Sequence, residues 1–365
     1  MKAQILPHNS DNITKAASLL KNGRLVAMPT ETVYGLAGNV FNESALTNIF
    51  NTKERPVFDP LIVHVTGIAP GNPILQLEKM NLIDVKKLSQ AAKEKINILI
   101  STFWPGPLTL VLPKSPRVPD LATSGLETVA LRMPSHPVAR ALIEAAGTPL
   151  AAPSANRFGR ISPTSSEDVL SELGDRIEII LDGGQCEIGV ESTIINCLPD
   201  GTLALLRPGG TPIADIEHAA DTQIIRQSAE TDSKETSPAV APGMLASHYS
   251  PITPLFLLSE PFPGINEKEI NSILSNYPSN ASIGILLFEK THKKALKELY
   301  PLEKRNLVIK SLSKSGNVAE ASKNLFTSLR YLDQSAATLI ISEPCPKKEG
   351  LGHAIQDRLN RAAIK

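Results

Sequence analysis

The sequence predicts an α/β protein, and three observations lead there. Apolar runs of strand length alternate with segments whose apolar residues fall at helical spacing. Proline is frequent, 29 of 365 residues against a usual ~5%, yet it forms no tract and punctuates many short segments. A polar stretch rich in Pro, Ser and Thr, Gln227 to Pro242, reads as an exposed linker that divides the chain.

The elements follow in order. Ser10 to Asn22 has Ile13, Ala16, Ala17 and Leu20 at helical spacing, with Ser10 or Asp11 as the expected cap and Gly23 past the end. Leu25–Met28 reads as a buried strand, Ala45–Lys53 as a helix and Leu61–Val65 as a strand. A helical region covers Asn81 to Ser101. Strands are expected at Leu108–Leu112 and Thr128–Leu131, then a helix over His136–Ala146 stopped by Gly147. Further strands are expected at Leu150–Ala152, Ile177–Leu181, Thr193–Asn196 and Leu203–Leu206. Beyond the linker, Pro254–Leu258, Ile283–Leu287 and Thr338–Ile341 are strand-like, while Ala319–Leu332 and His353–Ala363 are helix-like, a second and smaller α/β unit.

Composition narrows the function. Lys+Arg and Asp+Glu are both 37, so the chain lacks the positive excess with which a generic nucleic-acid binder displaces counterions. Aromatic residues are 4%, which leaves few rings for base stacking. Three cysteines, Cys186, Cys197 and Cys345, form no CxxC pair, so the expectation is a reduced, cytoplasmic protein without a thiolate metal site. Neither a signal peptide nor an apolar run of ~18 residues is seen.

Several polar clusters carry the chemistry, each with a plainer alternative. Pro29-Thr-Glu-Thr-Val-Tyr-Gly-Leu36 follows a strand and offers hydroxyls at Thr30, Thr32 and Tyr34, either to a ligand or to a capped turn. Lys53 and Arg55, stopped by Pro56, suit a polyphosphate or complement a helix dipole. His64 interrupts the apolar run after Asp59-Pro60, as a site group or a satisfied core residue. Arg132, in Leu131-Arg-Met-Pro134, is a carboxylate clamp or a surface ion pair. Ala151-Ala-Pro-Ser-Ala-Asn156 and Ile161-Ser-Pro-Thr164 let a ligand approach small residues beside Ser154, Asn156 and Ser162, or make a turn and a helix cap. Gly189-Val-Glu-Ser-Thr193 and Leu206-Arg-Pro-Gly-Gly210 add Ser192 and a cation, Arg207, on a flexible loop. P-loop, GxGxxG, HExxH and GxSxG motifs are missing. Anion grips and hydroxyls without an evident nucleophile point to catalysis by positioning and charge stabilisation.

In this order the clusters resemble the YrdC/Sua5 family, the threonylcarbamoyl-AMP synthases of tRNA t6A biosynthesis, whose KxR…SxN signature stands here as Lys53, Arg55, Ser154 and Asn156. Ala241–Pro251 is similar to the Sua5 linker, and Gly350–Ala363 to the end of the Sua5 C-terminal domain. The resemblance implies a twisted open mixed sheet with helices over 1–226, a linker over 227–251 and a Rossmann-like α/β domain over 252–365. It implies that L-threonine, bicarbonate and ATP give L-threonylcarbamoyladenylate, pyrophosphate and water. It places threonine at Thr32, His64, Arg132, Ala152 and Ser192. It places ATP at Arg55, Asp59, Thr128, Ser154, Asn156, Ser162, Arg207 and the linker residue Tyr249, with Lys53 and Arg55 as catalytic cations. Mg2+ would be held mainly by the ATP phosphates, and the product would pass to a tRNA threonylcarbamoyltransferase. No stable nucleic-acid or membrane binding is expected, and a homodimer stays open. Asp59 stands where the family often has Asn, and Leu245-Ala-Ser247 replaces a more basic stretch. Three rivals stand beside it: an RNA-binding or ribosome-maturation protein of this fold, a hydrogenase-maturation carbamoyl-transfer domain, for which the zinc-finger Cys pairs are missing, and a YciO-type paralogue, which would lack the second domain.

Overall fold

A computed structural model describes residues 2–226, 248–296, 299, 302, 305–347 and 349–364. The Gln227–Pro242 linker and Leu245-Ala-Ser247 lie outside the described residues. The chain forms two compact units. The first holds the chain up to Phe158, Ser162–Glu187 and the residues from Glu191 to 226; the second holds Gly159–Ile161, Ile188–Val190 and the described residues from 248 onward.

In the first unit, the strands are β1 (Gln4–Pro7), β2 (Val26–Met28), β3 (Gly35–Asn39), β4 (Ile62–His64), β5 (Leu108–Pro113), β6 (Thr128–Arg132), β7 (Leu150–Ala151), β8 (Ile179–Asp182), β9 (Thr193–Cys197), β10 (Leu203–Arg207) and β11 (Ile225–Arg226). They form one mixed sheet in the order β1-β8-β2-β3-β7-β4-β6-β5-β9-β10-β11. Its helices include α1 (Ser10–Lys21), α2 (Glu43–Lys53), α3 (Pro73–Lys79), α4 (Gln90–Phe103), α5 (Asp120–Thr123), α6 (Pro137–Ala146), α7 (Ser166–Leu173) and α8 (Ile213–Ala220).

Alternation along the strands divides the sheet into two faces. Ala27, Val63, Leu110, Leu112, Val129, Leu131, Ile180 and Ile195 face the main core, where α2 contributes Leu46, Ile49 and Phe50 and α4 contributes Ile96, Leu99 and Ile100. Val26, Met28, Leu150, Ile179 and Leu181 face the other way, onto Ala16, Ala17 and Leu20 of α1 and Val138, Leu142 and Ile143 of α6. On that second face, beyond β7, a separate small cluster consists of Ile62, Val111, Ala130, Ile194 and Leu206, all from strands.

The second unit is built on four parallel strands, β12 (Leu255–Leu257), β13 (Ser282–Glu289), β14 (Asn306–Ser313) and β15 (Leu339–Ser342), in the order β12-β15-β13-β14. Ile283, Ile285, Leu287, Leu339 and Ile341 pack with Ile270 and Leu274 of the helix Glu267–Leu274. The two short segments from earlier in the chain dock here on the helix Val318–Asp333: Ser322 Oγ donates to Ile188 O at 2.7 Å, and Arg330 Nη2 donates to Ile161 O at 2.8 Å.

Several expectations are corrected. Asn9, not Ser10 or Asp11, caps α1, its side chain accepting from Asn12 N. The region Asn81–Ser101 is not one helix: Asn81 has φ 58°, Asp84 caps a short 3-10 turn at Val85–Lys87, and Ser89 caps α4. The sequence reading also passed over β1, β3, β14, α3, α7 and α8. Strand β3 is rich in glycine, a residue depleted in strands, because its neighbours crowd it. A Cβ on Gly38 would lie 3.0 Å from Leu25 Cδ2 and 3.1 Å from Ile49 Cδ1.

Candidate active site

The second face of the sheet carries the predicted residues on a regular pattern. Side chains two apart on a strand share a face, and His64 lies in register with Arg132 on one side and Leu150 on the other. Ile62 and His64 on β4, with Thr128, Ala130 and Arg132 on β6, therefore line the face that holds Ile62, Ala130, Val111, Ile194 and Leu206. Apolar residues form the floor and polar groups stand at its ends. At ~3.3 Å per residue, Thr128 and Arg132 are roughly 13 Å apart along β6.

At the Arg132 end the groups are buried and interlocked. Thr30 Oγ1 accepts from Thr32 N and Val33 N, both at 3.2 Å, a hydroxyl turn that follows β2. Arg132 Nη1 donates to Thr32 Oγ1 at 2.9 Å, and its Nε donates to Gly106 O at 3.2 Å. Its Nη2 lies 2.6 Å from Glu31 Oε1, with both side chains 4% exposed. His64 is buried, and that burial first, then the Arg132 charge, pushes its pKa down to about 3, so the ring is neutral at neutral pH. Its Nδ1 has no hydrogen-bond partner among the described residues.

Nearby loops extend this end. Ser192 Oγ shares a 2.7 Å hydrogen bond with Thr109 Oγ1. Arg207, at the end of β10, donates from Nη2 to Ser192 O at 3.1 Å and to Ser192 Oγ at 3.2 Å. Ser162 Oγ donates to Glu191 Oε1 at 2.6 Å. The Leu206–Gly210 loop passes so close to this segment that a Cβ on Gly209 would lie 2.3 Å from Ser192 C and 2.4 Å from Glu191 O. Arg132, Thr32, His64, Ser192 and Arg207 are thus brought to one end of the face.

The other end is organised by the turn after α2. Glu54 takes a left-handed conformation, φ 55°, and reverses the chain. Lys53, 1% exposed, then donates its ammonium to Ser154 O at 2.5 Å and to Asn156 O. Burial first, and the neighbouring Arg55 second, holds its pKa well below the usual lysine value. Its nitrogen, donating to both carbonyls, fixes the SxN loop from beneath. Arg55 reaches over the next turn: Nη2 lies 2.8 Å from Asp59 Oδ2 and donates to Pro60 O at 2.8 Å, while Nε donates to Asp59 O at 3.1 Å. This network sits at the entry to β4, as Thr128 sits at the entry to β6. Ala152 N donates to Ile62 O at 2.9 Å, and Ile62 is in register with Ala130, so Ala152 lies between the two ends.

Tyr249 belongs to the second unit, with φ 64°, its ring stacked on Phe326 at 5.6 Å and Arg358 5.2 Å from its centre. His248 meets it edge-on at 4.2 Å. The three cysteines are buried free thiols, and burial pushes Cys197 up to about 12 and Cys186 higher. Sequence reasoning did not single out Glu31, Thr109 or Glu191. The available signal was a carboxylate within Pro29–Leu36, flanked by two threonines at the exit of a buried strand.

Comparison with known proteins gives a consistent result. A Sua5/YciO/YrdC family model, described as "Telomere recombination", matches residues 18–209, and a model described as "Threonylcarbamoyl-AMP synthase, C-terminal domain" matches residues 212–364. The Pyrococcus abyssi threonylcarbamoyl-AMP synthase is 38% identical over 348 residues, covering 95% of this chain and 93% of that protein. The Bacillus subtilis protein of the same name is 39% identical over 360 residues, covering 98% and 94%. The crystal structure of P. abyssi Sua5 complexed with L-threonine has a TM-score of 0.82 at 35% identity, covering 99% of this chain and 98% of that one. A His/Tyr double-alanine variant of P. abyssi Sua5 gives a TM-score of 0.80 at 33% identity, covering 99% and 96%. The chain belongs to the Sua5/YrdC family, in the form that carries the Sua5 C-terminal domain.

Proposed function

We propose that this chain makes L-threonylcarbamoyladenylate from L-threonine, bicarbonate and ATP, releasing pyrophosphate and water, for threonylcarbamoylation of tRNA by a downstream transferase. The observation that carries the reading is the buried guanidinium of Arg132, oriented by Thr32 and Gly106 at one end of an apolar-floored face. That arrangement suits an amino-acid carboxylate, and a relative of this fold has been solved with L-threonine.

The mechanism follows from the two ends. Arg132 holds the carboxylate, and Thr32, the neutral His64, Ala152 and Ser192 surround the amino acid. The amine attacks bicarbonate or CO2 derived from it, giving a carbamate, whose oxygen then attacks the α-phosphate and expels pyrophosphate. Arg55, Asp59, Thr128, Ser154, Asn156, Ser162 and Arg207 are assigned to the nucleotide. Arg55 and Arg207 offset charge building on the phosphates. Lys53 acts by holding the Ser154–Asn156 loop, since its ammonium is committed to two carbonyls of that loop. Mg2+ supplies further charge compensation when bound with ATP. It is assigned to the ATP phosphates. No helix among the described residues is long and apolar enough to cross a membrane. The cytoplasm is assigned from the cysteine pattern of the sequence.

The test is pyrophosphate release with threonine, bicarbonate and ATP omitted one at a time. Release is expected only when all three are present. Release without threonine or without bicarbonate would overturn the reading.

A further inference from the structure

Two buried acids at this end, Glu31 and Glu191, are left unused by the mechanism above, and of these Glu191 accepts from Ser162 Oγ. Glu31 is 3% exposed, and its two carboxylate oxygens accept no hydrogen bond among the described residues. Among the described residues its carboxylate is paired with Arg132, the group assigned to the substrate carboxylate.

Arg132 carries five N–H donors. One goes to Gly106 O and one to Thr32 Oγ1, while Nη2 pairs with Glu31 by charge without making a hydrogen bond. The second N–H of Nη1 and those of Nη2 can still donate to a carboxylate. A carboxylate seated there stands next to Glu31, and two buried negative charges would share one guanidinium. That is unfavourable unless a second cation enters with the ligand. An α-amino acid brings one: its ammonium is separated from its carboxylate by a single carbon. With the zwitterion bound, Glu31, Arg132, ammonium and carboxylate sum to zero charge.

We propose that Glu31 is a catalytic residue that binds the substrate ammonium and takes its proton. The inference rests on the proposed reaction. The balance is simple. The N–H bond of the ammonium breaks, its electron pair stays on nitrogen, and the proton passes to a Glu31 oxygen. The freed pair attacks the bicarbonate carbon, and the nitrogen's next proton leaves with the displaced hydroxyl as water. One proton reaches solvent from Glu31 per turnover.

The neighbours leave this role to Glu31. Arg132 faces it from β6, with His64 beside that arginine; His136 faces it from the start of α6 and Cys186 from the loop after β8. Burial keeps both histidines and the thiol neutral at neutral pH. Glu187 and Asp168 act behind His136 and Cys186.

The test is the pH profile of threonine-dependent pyrophosphate release by the full chain, wild type against Glu31→Gln, with L-threonine binding measured by calorimetry. General base catalysis is typically worth 10²–10⁴-fold. Glu31→Gln is expected to lose about 100-fold or more in kcat at pH 7, and to recover tenfold per pH unit as the free amine accumulates in solution. Activity within threefold of wild type, or a loss equal at every pH, would overturn the proposal. Should Glu31→Gln fail to fold, Glu31→Asp is read in the same way: a pH-dependent loss above tenfold supports the role, and a rate within threefold overturns it. A wild-type chain that releases no pyrophosphate with all three substrates would instead overturn the reaction itself.

Discussion

The two ends of the site face use buried cations differently. At one end Arg132 donates to Thr32 and Gly106, pairs with Glu31 by charge, and keeps donors on its terminal nitrogens for a ligand. At the other end Lys53 spends its N–H donors on two backbone carbonyls of the loop that carries Ser154 and Asn156. The difference teaches that a cation in a binding motif need not touch the ligand. A fork with five donors can hold its own position and still bind, whereas an ammonium with three donors, buried under a loop, serves as that loop's support.

The comparison can be broken at Lys53 first. Lys53→Met keeps the side chain's bulk but leaves two buried carbonyls without their donor, a loss of about 2–6 kcal/mol at 1–3 kcal/mol for each unsatisfied group. Chemical denaturation should show that loss, and ATP affinity should fall with it while threonine affinity holds. A variant of unchanged stability with poor ATP binding would return Lys53 to the phosphates.

Next comes the crowding beside Ser192. Gly209→Ala puts a methyl group 2.3–2.4 Å from the backbone of Glu191 to Thr193, and overpacking of this kind typically costs about 1–3 kcal/mol. Because the displaced backbone is rigid, the threonine KM should rise along with the loss of stability. An unperturbed KM would detach the Arg207 loop from the amino-acid end.

The smallest effect concerns His64, whose folded pKa of about 3 lies below the free value of 6.5. The unfolded chain binds the extra proton, so this residue's contribution is complete above pH 6.5 and is lost as pH falls toward 3. That amounts to about 2 kcal/mol between pH 6.5 and 4.5, at 1.36 kcal/mol per unit. His64→Gln should flatten the acid limb of the stability curve by that amount. An unchanged limb would mean that the ring titrates normally.

Much of this was legible beforehand. The cations and hydroxyls could be read because Pro, Ser, Thr and Arg cluster at strand exits, and their linear order carried the family resemblance. Strand β3 was not legible, because Gly35 and Gly38 answer to packing against Ala152, Leu25 and Ile49 rather than to strand propensity. The burial of Lys53 depends on a left-handed turn at Glu54, which no spacing rule announces. Glu31 escaped notice because its meaning lies in its partner, Arg132, a hundred residues away and brought near only by the sheet.

The central claim is that Arg132 binds the amino acid and Arg55 the nucleotide. Calorimetric titration of L-threonine and of ATP into Arg132→Lys and Arg55→Lys tests it most directly, since both changes keep the charge facing Glu31 or Asp59 and remove only the fork. The account predicts that Arg132→Lys weakens threonine at least 30-fold and leaves ATP within threefold, and that Arg55→Lys does the reverse. Both ligands weakening equally in either variant would contradict it.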